Sequence, residues 1–268
     1  MQYVASLSYG KDSIAMLEVI KQNNLPLDRI VHVEIMATHI IHADLPPMLE
    51  FKAKADKIIK QRYGIEVEHL HNDKCFTDYL FKQAKTGGYY TYPSRIANWC
   101  NDRLKMRLLN QFKNCKKYKQ YIGIACDEPE RLERLKGTNK IAPLAEYGWT
   151  EKMAYDFCED NDLLSPIYTD ENIRGGCWFC YNMSIADMRN LRENYPEYWQ
   201  MLLEWDKKSF ELSSNSDYGK VKSGYGVKGE RPLLDYDLRF SLEDEGFIDI
   251  EKSFRWSMLN NPYIQLEF

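Results

Sequence analysis

The sequence contains no apolar run near the roughly 20 residues that a membrane-spanning helix needs, so no membrane segment is expected. Its opening, MQYVASLSYG, has no basic stretch ahead of an apolar one, and Asp12 interrupts the apolar residues early. No secretory leader is expected from that pattern. Positive charge is not in surplus. The 36 Lys and Arg face 40 Asp and Glu, a formal net charge of −4, which excludes a global basic field for nucleic acid but allows a local patch. A paired-cysteine framework is also missing. Seven cysteines, an odd number, are scattered at positions 75, 100, 115, 126, 158, 177 and 180, which points to a reducing cytoplasm. Internal repeats and low-complexity segments are absent as well.

What is present is an alternation of strand and helix signals. Residues 3–8 (YVASLS) form a short apolar run that ends in a polar, glycine-containing turn. From Asp12, read as the N-cap, apolar residues recur at helical spacing through Ile14, Met16, Leu17, Val19 and Ile20. Strands are expected at 29–37, 65–71 and 119–125. Helices are expected from Leu45 to Tyr63, with Pro46 and Pro47 in the first turn, from Asn101 to Phe112, and from a Thr150 cap to Asp160. Such alternation implies an α/β fold: a doubly wound, mainly parallel, Rossmann-like sheet, with ligands bound beyond the carboxyl ends of the strands. After about residue 172 the pattern changes to a helix over 184–208, split or kinked at Pro196, and then an aromatic-rich tail. The expected division is a nucleotide-binding domain over 1–175 and a smaller, mostly helical region over 176–268.

The turn Ser8-Tyr9-Gly10-Lys11-Asp12-Ser13 lies between the first strand and the first helix. Backbone N–H groups at a helix N-terminus make an anion site by geometry and by macrodipole. Gly10 permits close approach, Lys11 adds a positive charge, and Ser8 and Ser13 supply hydroxyls. Asp12 can cap the helix or hold magnesium. The loop is neither a Walker A motif, since Ala5 and Asp12 stand where its first Gly and its Ser/Thr belong, nor a Gly-x-Gly-x-x-Gly turn. An ordinary capped glycine turn is the alternative.

Five blocks in order resemble a known family. They are the Ser-x-Gly-Lys-Asp-Ser loop; Cys100 followed by Leu104-Lys105; Tyr121-Ile122-Gly123-Ile124 with Asp127-Glu128 and Arg131; Pro143-Leu144 with Trp149-Thr150; and Gly176-Cys177-x-x-Cys180. Together, over about residues 3–200, they are similar to the phosphoadenosine phosphosulfate (PAPS) reductase family of the PP-loop, adenine nucleotide α-hydrolase-like superfamily. The resemblance implies binding of ATP or an adenylated sulfate. It makes Ser8, Gly10, Lys11, Asp12, Ser13 and Gly123 the nucleotide-binding positions, with Lys11, Asp12, Lys105 and Arg131 in catalytic roles. Lys105 and Arg131 would then face the phosphate or sulfate, although Arg103, Lys105 and Arg107 cannot all face one site.

The chain departs from that family in three places. Tyr9 replaces a glycine, so the backbone there is expected to avoid positive φ. Ala125 stands where the family often has arginine. No cysteine follows Cys180, so the family's C-terminal redox cysteine has no counterpart.

Cys177 and Cys180 form a C-x-x-C pair with Cys100 as the natural third ligand. In related enzymes such a set holds a 4Fe–4S cluster. Zinc, with Cys75, Cys126 or another residue as a fourth ligand, and unmetallated thiols remain alternatives. His39, His42, His69 and His71 read as satisfied or surface residues. The functions expected are, first, an ATP-using PP-loop enzyme that adenylylates an acceptor, a small molecule or nucleic acid, for sulfur transfer. A PAPS or adenylyl-sulfate reductase and a non-catalytic nucleotide-binding module are the alternatives. The last would use the aromatics Trp199, Trp205, Tyr218, Tyr225, Tyr236, Trp256 and Tyr263 as a surface, although core packing accounts for most of them.

Overall fold

A computed structural model of the protein describes residues 1–83, 85, 87–95, 97–110, 118–170, 173–214 and 225–248. The chain forms two compact units. The first comprises Met1–Thr77 and Asn98–Trp178; the second comprises Asp78–Ala97 and the chain from Phe179.

In the first unit, β1 (Gln2–Ser6) leads through the short loop into α1 (Lys11–Gln22). There follow β2 (Arg29–Val33), α2 (Pro46–Tyr63) and β3 (Val67–Leu70). A short α3 (Phe76–Leu80) marks the passage to the second unit. Back in the first unit, a π-helical stretch, Asn101–Met106, runs into α4 (Arg107–Asn110). Next come β4 (Tyr118–Tyr121), α5 (Pro129–Glu133), β5 (Lys140–Ile141), α6 (Pro143–Glu146) and α7 (Glu151–Asp160). The five strands are parallel, in the order β3-β2-β1-β4-β5. The expected doubly wound sheet is therefore present, and its order reverses between β1 and β4.

Residues alternate between the two faces of the sheet. Ala5 pairs with Ile30 on one side and Tyr121 on the other, and all three join the main core with α1, α2 and α7 residues such as Ile14, Leu17, Phe51, Ile59 and Ala154. Val4, Val31 and Tyr118 face the other way, where Leu109 of α4 packs on them. A parallel sheet buried on both faces needs this continuous apolar content in its central strands.

Local chemistry sets the helix ends. Leu45 is the N-cap of α2, Pro46 and Pro47 occupy its first turn, and Gly64 closes it at φ 73° with its N–H on the Lys60 carbonyl. Thr150 caps α7 by accepting from Met153 N at 3.2 Å.

Four expectations need correction. The helix after the loop begins at Lys11 with Gly10 as its N-cap, so Asp12 lies in the first turn rather than at the cap. The Gly10 carbonyl accepts from Ser13 N and Ile14 N, as an N-cap carbonyl does. The strand expected to reach Ala37 stops at Val33, because its neighbour β3 ends at Leu70 and no further ladder is available. The chain turns back instead, with Ala37 N on the Ile41 carbonyl. Likewise β4 stops at Tyr121. Its outer neighbour β5, which was not anticipated, is only two residues long. The helix expected over 101–112 opens as a π-helix, and its last residues, within 111–117, lie outside the described residues.

In the second unit, Ser184 and Asp187 form a reciprocal capping box that starts α8 (Ile185–Asn194). Pro196 separates it from α9 (Pro196–Ser214), and α10 (Leu233–Asp244) follows. Trp199, Trp205 and Tyr236 are buried, so these aromatics are core. Tyr218, Trp256 and Tyr263 lie outside the described residues. None of the described helices is long and apolar enough to cross a membrane.

Candidate functional site

The loop from Leu7 to Gly10 leaves β1 at the point where the sheet order reverses, and the loop after β4 leaves beside it. The two loops touch at Gly123. A Cβ there would lie 2.6 Å from the carbonyl carbon and oxygen of Asp12 and from Ser13 N. Only glycine allows that approach, so Gly123 sits against the first turn of α1.

The loop is internally tied. Ser8 N donates to Ser13 Oγ at 3.1 Å, the Ser8 hydroxyl donates to the same oxygen at 3.0 Å, and Ser13 Oγ donates to the Gly10 carbonyl at 2.9 Å. Ser13 is buried, whereas Ser8 is exposed. The N–H of Lys11 meets the Tyr168 hydroxyl at 3.4 Å. Among the described residues, no acceptor meets the N–H groups of Tyr9 and Asp12. Free N–H groups on a tight turn at a helix N-terminus are the geometry of an anion cradle.

Tyr9 overturns an expectation. Its φ is 59°, in the left-handed region that a tyrosine was expected to avoid. The reason lies beneath the loop. The Tyr9 side chain is fully buried; its hydroxyl donates to Asp56 and lies 3.2 Å from His69 Nε2, and its ring meets His32 edge-on at 4.8 Å. Strain of this kind persists only where surrounding contacts over-determine it, and it gathers at functional sites. Burial, then Asp56 and Glu34, push the Tyr9 phenol above its ordinary range, so it remains a donor.

A second buried chain runs alongside. His32 Nδ1 donates to the Leu7 carbonyl at 2.9 Å, its Nε2 accepts from Lys52 Nζ at 2.8 Å, and Lys52 donates to Asp44. Burial first, then the Lys52 charge, lower the His32 pKa to about 3, so the ring is neutral and the tautomer is set by these partners. None of His32, Lys52, Asp44 or Asp56 announces itself in the sequence.

In front of the loop the charges are mixed. Lys11 Nζ bonds Asp12 at 2.9 Å and Glu151 at 3.2 Å. Although burial alone would lower it, these carboxylates hold the Lys11 pKa above its usual value. The Asp12 carboxyl is pushed up by burial, with Glu151 and Glu128 adding to the effect and Lys11 opposing it. Oxygens of Asp12, Glu128 and Glu151 lie within 4.8 Å of one another, an oxygen-donor set that suits magnesium. Asp127 holds this arrangement by accepting from Glu151 N at 3.1 Å, and Ala125 N donates to Glu128 at 3.1 Å. Glu151 and Tyr168 were not anticipated, because their nearness to the loop arises only through folding.

Arg131 pairs with Glu128 and so joins the edge of this group. Lys105 is exposed on the π-helical stretch, where Asn72 donates to the Arg103 and Leu104 carbonyls. Its charge acts on His32 but makes no described bond to the loop. π-Helical insertions often mark functional segments.

Cys100, Cys177 and Cys180 are in no disulfide and are partly exposed. Cys158, by contrast, is buried on the Lys11 carbonyl at 3.4 Å, with its thiol pushed up to about 12 by burial. Cys177 belongs to the first unit and Cys180 to the second.

No protein-family model and no curated protein matches this chain. Among solved structures, the U34-tRNA thiolase NcsA from Methanococcus maripaludis with its 4Fe–4S cluster is similar at 15% identity and a TM-score of 0.38, covering 89% of this chain and 80% of that one.

Proposed function

We propose that this chain is a PP-loop enzyme of the PAPS reductase family, which binds ATP or a related adenylate at Ser8–Ser13 and couples adenylylation of an acceptor to sulfur transfer. The observation that carries this reading is the loop itself. A strained, internally bonded turn opens α1 at the reversal point of the sheet, with Gly123 pressed on Asp12 and Ser13. Amide groups and the helix dipole hold phosphate oxygens. Lys11, Lys105 and Arg131 balance charge that develops on the leaving group, and Asp12 with Glu128 and Glu151 holds magnesium. An acceptor oxygen bonds to the α-phosphorus as the bridge to the β-phosphate breaks, releasing pyrophosphate. A sulfur nucleophile then displaces AMP.

The sequence set Cys100 with the Cys177-x-x-Cys180 pair supports the reading of a 4Fe–4S cluster with one iron left open, since the thiolate is the ligand form and none of the three is tied in a disulfide. Such a cluster would supply an open iron for a sulfur species.

The test is calorimetric titration with ATP and magnesium, paired with assay of AMP and pyrophosphate. Lys11→Ala and Ser13→Ala should each weaken ATP by about ten- to a hundredfold, the scale of a lost charge-assisted hydrogen bond. ATP affinity unchanged in both variants would sink the proposal.

A further inference from the structure

We infer that Arg174 is the binding residue of a second oxyanion subsite, which takes a tetrahedral phosphate or sulfate group. Nη1 of Arg174 is buried and has no hydrogen-bond partner among the described residues. Other partly buried arginines of this unit are paired: Arg29 with Glu68 and Arg62 with Glu18. A guanidinium always carries its charge and offers five N–H donors, and leaving one of them dry and unpaired is costly. A residue kept in that state is one whose acceptor arrives with a ligand.

The backbone around it is built for the purpose. Ile173 is buried and its N–H bonds the Asp170 carbonyl at 3.0 Å, while Gly176 N bonds the Arg174 carbonyl at 3.0 Å, so the residue is held from both sides. A Cβ on Gly176 would lie 3.6 Å from Nη2, 3.8 Å from Nε and 3.9 Å from Cζ. A larger side chain at position 176 would therefore rest on the guanidinium, which glycine does not. Gly175 approaches Ile167, where a Cβ would be 3.1 Å from Cδ1. Ile167 precedes Tyr168, whose hydroxyl meets Lys11 N. The subsite is thus seated on the same turn that borders the phosphate loop, but it is made of different residues.

The planar fork of arginine matches two oxygens of one anion. The tetrahedral class follows from the proposed function, whose chemistry handles phosphate and sulfur–oxygen groups, and to that extent the inference rests on that reading.

The test is thermal denaturation of the full chain against inorganic phosphate, sulfate and acetate, with ATP titrated separately. Phosphate or sulfate should raise the Tm of the wild type saturably and acetate should not. Arg174→Gln and Gly176→Val should each weaken the response about ten- to a hundredfold, Arg174→Lys less, and Lys11→Ala should keep it. If ATP affinity falls with the anion response in Arg174→Gln, the oxyanion is the nucleotide's own; if ATP affinity is unchanged, it belongs to a separate substrate. A wild type that responds through Arg174 yet binds no ATP would defeat the proposed function and leave this subsite standing. Equal responses in wild type and Arg174→Gln, no response in the wild type, or an equal response to acetate would overturn it.

Discussion

Gly123 lies so close to Asp12 that a single added carbon would sit 2.6 Å from the Asp12 carbonyl. The obstructing atoms are backbone atoms of α1's first turn, so they cannot swing aside as the end of a flexible side chain would. Gly123→Ala must push the loop after β4 away from the anion cradle. The expected cost is about 1–3 kcal/mol of stability, the range for overpacked sites, together with loss of nucleotide affinity. Urea denaturation and ATP titration of the same variant check both. A variant with wild-type values would mean that the two loops do not meet as described.

Tyr9 carries a related prediction with a sign that separates two explanations. If its positive φ were tolerated passively, Tyr9→Gly would stabilise the chain by relieving the backbone. The tyrosine is instead fully buried, and its hydroxyl serves Asp56 and His69. Tyr9→Gly therefore removes an aromatic ring from the core and should destabilise by about 3–5 kcal/mol, less about 1–2 kcal/mol of relieved strain. Tyr9→Phe keeps the ring and should cost about 1–3 kcal/mol through the lost bond to one Asp56 oxygen, the other staying on His69 at 2.9 Å. Equilibrium unfolding of the two variants gives the order; a more stable Tyr9→Gly contradicts the anchoring role.

The sheet was legible because strands buried on both faces are apolar runs, and α2 and α7 carry their own start signals at Pro46-Pro47 and Thr150. The turn from Ser8 to Ser13 was legible because its residues are contiguous. What was hidden depends on contacts distant in sequence. Tyr9 takes its φ from Asp56 and His69, and Glu151 reaches Lys11 across 140 positions. β5 is two residues long and sends no periodic signal. Asp12 was misread as a cap because an acidic residue in the first turn and one at the N-cap look alike in sequence.

Acid should act in opposite directions on two buried groups. His32, at about 3, binds its proton more weakly when folded than at its ordinary 6.5. Its contribution to stability is complete above the unfolded value and is lost as pH falls from about 6.5 toward 3. Asp206 is raised to about 6 by burial, against the N–H bonds it accepts from Leu233 and Val227. The folded chain favours its protonated form, so its contribution is present at low pH and lost as pH rises through about 6. Between pH 4 and 6 the slopes offset each other. Asp206→Asn removes one of them, and the acid loss should steepen by up to about 1.4 kcal/mol per pH unit. Denaturant midpoints of wild type and variant over that range measure it, and parallel profiles would contradict it.

The thiols should separate by reactivity. Cys158 is pushed up to about 12 and buried, and Cys75 is buried as well. Neither should be alkylated by iodoacetamide at neutral pH in the folded chain, whereas Cys100, Cys177 and Cys180 should be. After anaerobic reconstitution with iron and sulfide, the same three should become protected, and Cys177→Ala should hold no cluster. Iron and sulfide bound at equal levels in Cys177→Ala would remove that cysteine from the ligand set.

Lys11 stands between its carboxylates and any incoming phosphate. Its Nζ bonds Glu151 at 3.2 Å across the front of the loop, and Glu151 is the more exposed of its two partners. A phosphate oxygen must displace Glu151 or recruit a cation that Glu151 shares. Glu151→Gln separates these roles. Without magnesium, removing the competing charge should tighten ATP several-fold, because an exposed ion pair is worth no more than about 1 kcal/mol. With magnesium, loss of one oxygen donor from the set with Asp12 and Glu128 should weaken ATP instead. Calorimetry with and without magnesium should therefore show the variant crossing the wild type. Tighter binding in both conditions would leave Glu151 as a gate on Lys11 with no part in holding the metal.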